Sequence, residues 1–168
     1  MFQHILVPLD GSHLAEAALQ PAMEIAAKFD GRMTLLRVLQ PVRLSVSSPD
    51  GSAFARLVHE MQHHAEADAK GYLKGLQGSL RQQGFVVHTH FMRGEQVANA
   101  ILDAVQGLDV DAIVMSTHGR SGFSRIVYGS IADKVLRQAD VPILLIRAQE
   151  NQEGLIMEPE SETAVTEL

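Results

Sequence analysis

The stretch Ala112-Ile-Val-Met-Ser-Thr-His-Gly-Arg-Ser-Gly122, continued by Tyr128-Gly-Ser-Ile131 and closed by Val141-Pro-Ile-Leu-Leu-Ile-Arg147, decides the fold. Its apolar run (Ala112, Ile113, Val114, Met115) stops abruptly at small and polar residues. A short basic segment leads to Gly129-Ser130, after which Ile131, Ala132, Val135 and Leu136 repeat at helical spacing. A second apolar run, 141–146, follows. The pattern predicts a buried strand, a glycine-containing loop, a helix start and another strand. A helix that starts behind such a loop offers backbone N–H groups to an anion, phosphate above all.

Upstream, His4-Ile-Leu-Val-Pro-Leu9 reads as a short strand closed by Asp10-Gly11-Ser12, with Ser12 placed to cap a helix and Glu16 in its first turns. That helix is predicted to run through an alanine-rich segment to Asp30-Gly31, with Pro21 as a point of kinking. Residues 33–39 form a second strand, stopped by Gln40-Pro41. The serine-rich residues 42–53 read as a flexible loop and 54–83 as a long amphipathic helix. Residues 85–92 give a third strand, and Gly94-Glu95 opens a helix carrying Val97, Ala98, Ile101, Leu102 and Val105.

Strands alternating with helices predict an α/β fold, a doubly wound open sheet of five parallel strands with helices on both faces and right-handed crossovers. In such a sheet, ligands bind beyond the carboxyl ends of the strands where the winding reverses. For the order 3-2-1-4-5 that point lies between the first and fourth strands. Asp10 and the loop 116–119 would then share one crevice, with Leu39 and Gln40 at its side.

Composition narrows the classes. The 168 residues contain no cysteine, which excludes disulfides, zinc-thiolate centres and thiol catalysis. No apolar run approaches the roughly 20 residues that span a bilayer, and the amino terminus enters a strand pattern at once, so a cytoplasmic protein is expected. Six of the 20 acids and none of the 14 bases lie in residues 148–168. The body is therefore formally neutral and the tail carries the whole net charge of −6. No basic face of a nucleic-acid binder is evident. The expected organisation is one domain, residues 1–147, followed by an acidic and flexible tail, residues 148–168.

These residues resemble the universal stress protein family, in its ATP-binding subclass. The resemblance rests on Ile5-Leu-Val-Pro-Leu-Asp-Gly-Ser12, Leu35-Leu-Arg-Val38, Gly94-Glu95, the 111–122 stretch, Tyr128-Gly-Ser-Ile131 and Val141–Ile146. The family's ATP motif is Gly, two residues, Gly, nine residues, Gly, then Ser or Thr. Gly119 takes the second glycine, 120–128 the gap and Gly129-Ser130 the close. Ser116 stands at the first glycine position, where glycine's freedom at positive φ is given up. A parse through Gly122 leaves too short a gap before Gly129.

The resemblance implies an adenine nucleotide alpha hydrolase-like, Rossmann-like domain. ATP, or AMP or ADP, would lie with its base and ribose against Pro8, Leu9, Val38 and Met115, and Ser116 would reach the ribose. Gly119, Arg120 and Gly122 would follow the phosphates to Gly129, Ser130 and Ile131. Asp10 would contact the adenosine end or a nucleotide-bound Mg²⁺ or Mn²⁺. The resemblance further implies a homodimer through the last strand (Val141, Ile143, Leu145), a stress-response switch and at most slow hydrolysis. A nucleotide-free dimeric adaptor and a weak ATPase are the alternatives. Each motif also has a plain structural reading as a turn, cap or helix entry; their joint placement at one crevice favours a site. His118 is read as shaping the loop, and His59, His63 and His64 as a solvated helix face. His88 and His90 share one face of a strand and are expected to be packed or hydrogen-bonded.

Overall fold

A computed structural model describes residues 1–41, 51–117 and 129–147, with side chains from 54 onward in the second segment. Five strands form one sheet in the order β3-β2-β1-β4-β5, all neighbours parallel. They are β1 (His4–Leu9), β2 (Arg32–Leu39), β3 (Val86–Arg93), β4 (Ala112–Ser116) and β5 (Ile143–Ile146). The helices are α1 (His13–Glu16), α2 (Leu19–Phe29), α3 (Gly51–Gln82), α4 (Val97–Gly107) and α5 (Ser130–Gln138). The predicted doubly wound sheet and its order are as expected.

Two separate apolar layers cover the sheet. Ile5, Val7, Leu9, Met33, Leu35, Val87 and Val114 pack with Ala15, Ala18, Ala22, Ala26, Leu73 and Leu80 on the side of α1, α2 and α3. Leu6, Leu36, Ile113 and Met115 pack with Ala98, Ile101, Ala104, Val105, Ala132 and Val135 on the side of α4 and α5. Adjacent residues of one strand thus serve opposite layers, as the two-residue repeat of a strand requires. The alanines let the short helices lie close against the sheet.

The first helix departs from expectation. It is not one helix kinked at Pro21 but two, α1 and α2, broken at Ala17-Ala18. Proline has no N–H to give the carbonyl four residues back and its ring collides with that carbonyl. For Pro21 that carbonyl is Ala17's, so the break falls one turn upstream and Pro21 sits in the first turn of α2, where it is tolerated. The end of α2 also has a specific chemistry. Asp30 takes the left-handed conformation (φ 51°), and the Gly31 N–H returns to the Ala26 carbonyl at 2.9 Å. A Cβ on Gly31 would lie 2.5 Å from the Phe2 carbonyl oxygen, so only glycine fits.

Smaller corrections follow from packing. α4 starts at Val97 rather than at Gly94-Glu95, because Gln96 stays extended as its N-cap. β5 starts at Ile143: of the apolar run 141–146, Val141 and Pro142 precede the strand, although the Pro142 carbonyl still accepts from Ile113 N–H at 2.9 Å. His88 is exposed rather than packed, while His90 is half-buried. His59, His63 and His64 are exposed on α3. α3 is tied to the end of β3 by Glu66, which accepts from Arg93 and from Lys70 (2.6 Å). The Arg93 and Lys70 hydrogen bonds hold the Glu66 carboxyl down to about 2.

No helix among the described residues is long and apolar enough to cross a membrane. The expected loop 42–53 is shorter than predicted, since α3 already begins at Gly51; its remainder 42–50, the motif residues His118, Gly119, Arg120 and Gly122, and the tail 148–168 lie outside the described residues.

Candidate functional site

The carboxyl ends of β1, β2 and β4 open on a cavity of about 440 Å³, within the range of small-molecule sites. It sits where the winding reverses, between β1 and β4. Of the residues expected at a site, Pro8, Leu9, Asp10, Val38, Met115, Ser116, Gly129, Ser130 and Ile131 all line it. Gly119, Arg120 and Gly122 belong to the part of the chain that is not described.

One wall is apolar. Leu36, Val38, Val97, Ile101, Met115 and Ala132 line it, and they are the outer end of the core layer beneath α4 and α5. A flat aromatic ligand placed there would bury surface against side chains already held by the core. Beside this wall Gln40 donates from Nε2 to the Glu95 carbonyl at 2.9 Å, tying the end of β2 to the approach of α4.

The rest of the lining near α5 is polar and made largely of backbone. β4 ends at Ser116 and is followed by Thr117, both buried. The Thr117 N–H donates to the Ile146 carbonyl, and the Thr117 carbonyl accepts from Gly129 N–H, each at 2.9 Å. Gly129 (φ −54°, ψ 147°) is the N-cap of α5 and makes no side-chain cap. The first N–H groups of α5 at Ser130 and Ile131 therefore begin a helix whose dipole favours negative charge at this wall.

Glycine at 129 serves approach rather than φ: a Cβ there would lie 3.1 Å from the Thr117 oxygen. Ser116, conversely, closes β4 in register with Ile146 and is not among the described residues with positive φ. The conformational freedom that glycine would bring to this position is not needed.

Asp10 is the one carboxylate among the described lining residues. Its Oδ1 accepts from the Ser12 N–H (2.9 Å) and the Ser12 hydroxyl (2.5 Å). Ser12 Oγ in turn accepts from Ala15 N–H at 3.2 Å as the cap of α1. The β1–α1 turn is thus a chain of hydrogen bonds that fixes the Asp10 carboxylate. A divalent ion carried by a polyphosphate fits this carboxylate by charge and oxygen chemistry.

Sequence reasoning gave no role to Arg37, Thr117, Val97 or Ile101, all of which line the cavity. Val97 and Ile101 were legible as a helix face, but nothing in their spacing says that the face ends at a cavity. Arg37 lay inside a quoted motif without a signal of its own.

A doubly wound α/β domain with an open cavity at its reversal point, lined by core apolar side chains and by a helix N-terminus, has the architecture in which ligands bind beyond the carboxyl ends of the strands. The model of the universal stress protein family matches residues 1–147, and the chain belongs to that family. Universal stress protein MJ0531 of Methanocaldococcus jannaschii is 29% identical over 147 residues, covering 88% of this chain and 83% of that protein. The structure of universal stress protein UspA from Lactobacillus plantarum superposes with a TM-score of 0.74 at 26% identity, covering 87% of this chain and 98% of that one. A universal stress protein in complex with cAMP shares the fold at 18% identity and a TM-score of 0.57, covering 86% of this chain and 96% of the other.

Proposed function

We propose that this universal stress protein binds an adenine nucleotide, ATP or else AMP or ADP, in the cavity between β1 and β4, and that occupancy is the signal it passes on in a stress response. The observation that carries this reading is the meeting of the apolar wall at Val38 and Met115 with the α5 N-terminus at Gly129 across one cavity. The base would lie against Val38, Met115, Pro8 and Leu9. The ribose would meet Asp10 and Ser116, and the phosphates the N–H groups of Ser130 and Ile131, with Gly119, Arg120 and Gly122 as the further nucleotide-binding residues. Mg²⁺ or Mn²⁺ would arrive with the nucleotide, neutralise phosphate charge and meet Asp10.

Hydrolysis in this reading is slow at most. Among the described lining residues Asp10 is the only carboxylate, and it is engaged by Ser12. The protein would act in the cytoplasm as a homodimer. β5 ends the sheet, with the Pro142 and Ile146 carbonyls turned to β4. By strand alternation the carbonyls of Val141, Ile143 and Leu145 would face the outer edge, where a second copy would pair.

The test is nucleotide analysis of the purified protein followed by titration with ATP, AMP and cAMP, with and without Mg²⁺. Co-purified adenine nucleotide or saturable one-to-one binding is expected. A cavity that takes none of the three would favour the nucleotide-free adaptor.

A further inference from the structure

Arg37 is the third residue from the end of β2, paired in register with Leu9 at the end of β1, and only 9% exposed. Burying a guanidinium among apolar strands is costly unless the surroundings use it. Its neighbours are specific. Nη1 donates to the Leu9 carbonyl at 3.5 Å, and a Cβ on Gly11 would meet Nη1 at 3.0 Å and Cζ and Nη2 at 3.4 Å. The guanidinium therefore lies against the bare backbone of Gly11, which holds φ +80°. Behind it, Cζ stands 6.0 Å from the centre of the Tyr72 ring on α3. The Tyr72 hydroxyl donates to Glu16 Oε1 at 2.8 Å, and Glu16 ends α1. Burial, then the Glu16 bond, pushes the Tyr72 phenol up, so it remains a donor at all ordinary pH.

These contacts enclose the β1–α1 turn from both ends. Arg37 presses on Leu9 and Gly11, Tyr72 and Glu16 hold α1, and Asp10 with Ser12 lies between them. We infer that Arg37 is a positioning residue of the ligand site: its guanidinium, braced by Tyr72, holds the Leu9–Ser12 turn in the shape that presents Asp10 to the cavity. The inference rests on the proposed nucleotide reading for its consequence, since Asp10 is where the ligand would feel it. It also makes α3 part of the site, because the brace passes through Tyr72 rather than through the strands.

Two measurements on the full chain test this. The first needs no ligand: amide hydrogen exchange at Ser12 and Ala15, whose N–H groups bond Asp10 and Ser12, against Leu6 and Leu35 in the sheet. Arg37→Gln is expected to speed exchange at Ser12 and Ala15 by about tenfold while Leu6 and Leu35 hold their rates. Equal acceleration everywhere, or none at Ser12 and Ala15, overturns the inference. Tyr72→Phe, which loses one hydroxyl and keeps the ring, is expected to shift the same two amides by a smaller factor and serves if Arg37→Gln does not fold; unchanged rates in it count equally against the brace.

The second measurement is Mg·ATP affinity in Arg37→Gln, Asp10→Asn and the double variant. Arg37→Gln is expected to weaken binding about tenfold in the native background and hardly at all once Asp10 is Asn. Losses that multiply independently would mean that Arg37 does not act through Asp10. Failure of the native protein to bind Mg·ATP would instead overturn the nucleotide reading and remove the positioning consequence with it, while the exchange rates still decide whether Arg37 holds the turn.

Discussion

The Gly129 N–H donates to the Thr117 carbonyl at 2.9 Å, and the same oxygen lies 3.1 Å from where a Cβ on Gly129 would stand. One atom thus fixes where α5 begins and crowds any side chain placed there. The contact sets the distance between the end of β4 and the first N–H groups of the helix, and so the shape of the polar wall.

Gly129→Ala is accordingly expected to displace the α5 N-terminus by a few tenths of an ångström. Nucleotide affinity should fall on the order of tenfold, since hydrogen bonds to a charged phosphate are worth about 1.5–3 kcal/mol and depend on alignment. Calorimetric titration beside a thermal melt separates this from unfolding: affinity should fall far more than stability.

Ser12→Ala removes both the cap of α1 and the hydroxyl that donates to Asp10. Loss of a cap costs about 1 kcal/mol, to be read from urea unfolding. The same variant should weaken binding of the Mg²⁺ form of the nucleotide more than that of the metal-free form, because Asp10, which keeps the Ser12 N–H but loses the hydroxyl, is the carboxylate that would face the ion.

The sheet order and the position of the cavity were legible because strands alternate with amphipathic helices and because Gly129-Ser130 interrupts an apolar segment. The break at Ala17-Ala18 was less so. Pro21 announced a disruption, but its location depends on the carbonyl four residues earlier, and the alanines on either side favour a helix regardless. The role of Gly31 was hidden for another reason: the Phe2 carbonyl that excludes a side chain there comes from a distant part of the chain. Arg37 was hidden in the same way, since neither the Gly11 backbone nor the Tyr72 ring is its neighbour in sequence.

Gly31→Ala tests that long-range reading of a glycine. A Cβ placed 2.5 Å from backbone oxygen forces the N-terminal segment or the α2–β2 turn to move, at a cost of about 1–3 kcal/mol in unfolding free energy. Gly78→Ala, where a Cβ meets nothing within 4 Å, should be neutral or stabilising.

His4 makes stability depend on pH. Its Nδ1 accepts from Arg32 Nη2 at 3.1 Å, so the ring proton is on Nε2, which donates to Thr34 Oγ1 at 2.8 Å. Burial, then the Arg32 charge, lowers the His4 pKa below its ordinary 6.5. The unfolded chain therefore binds the proton more readily than the folded one. This contribution is fully present above about pH 6.5 and is lost as pH falls through the lowered value. Unfolding free energies measured between neutral and mildly acid pH should decrease with acid, and the decrease should be shallower in His4→Gln.

The most direct test of the whole account is calorimetric titration of the purified, nucleotide-stripped protein with Mg·ATP, with backbone chemical shifts followed at Asp10, Val38, Ser116, Gly129 and Ser130. Saturable one-to-one binding is expected, with shifts concentrated at these five residues around the cavity. Absence of heat and of shift changes with ATP, AMP and cAMP alike, or shifts centred away from the β1–β4 cavity, would contradict it.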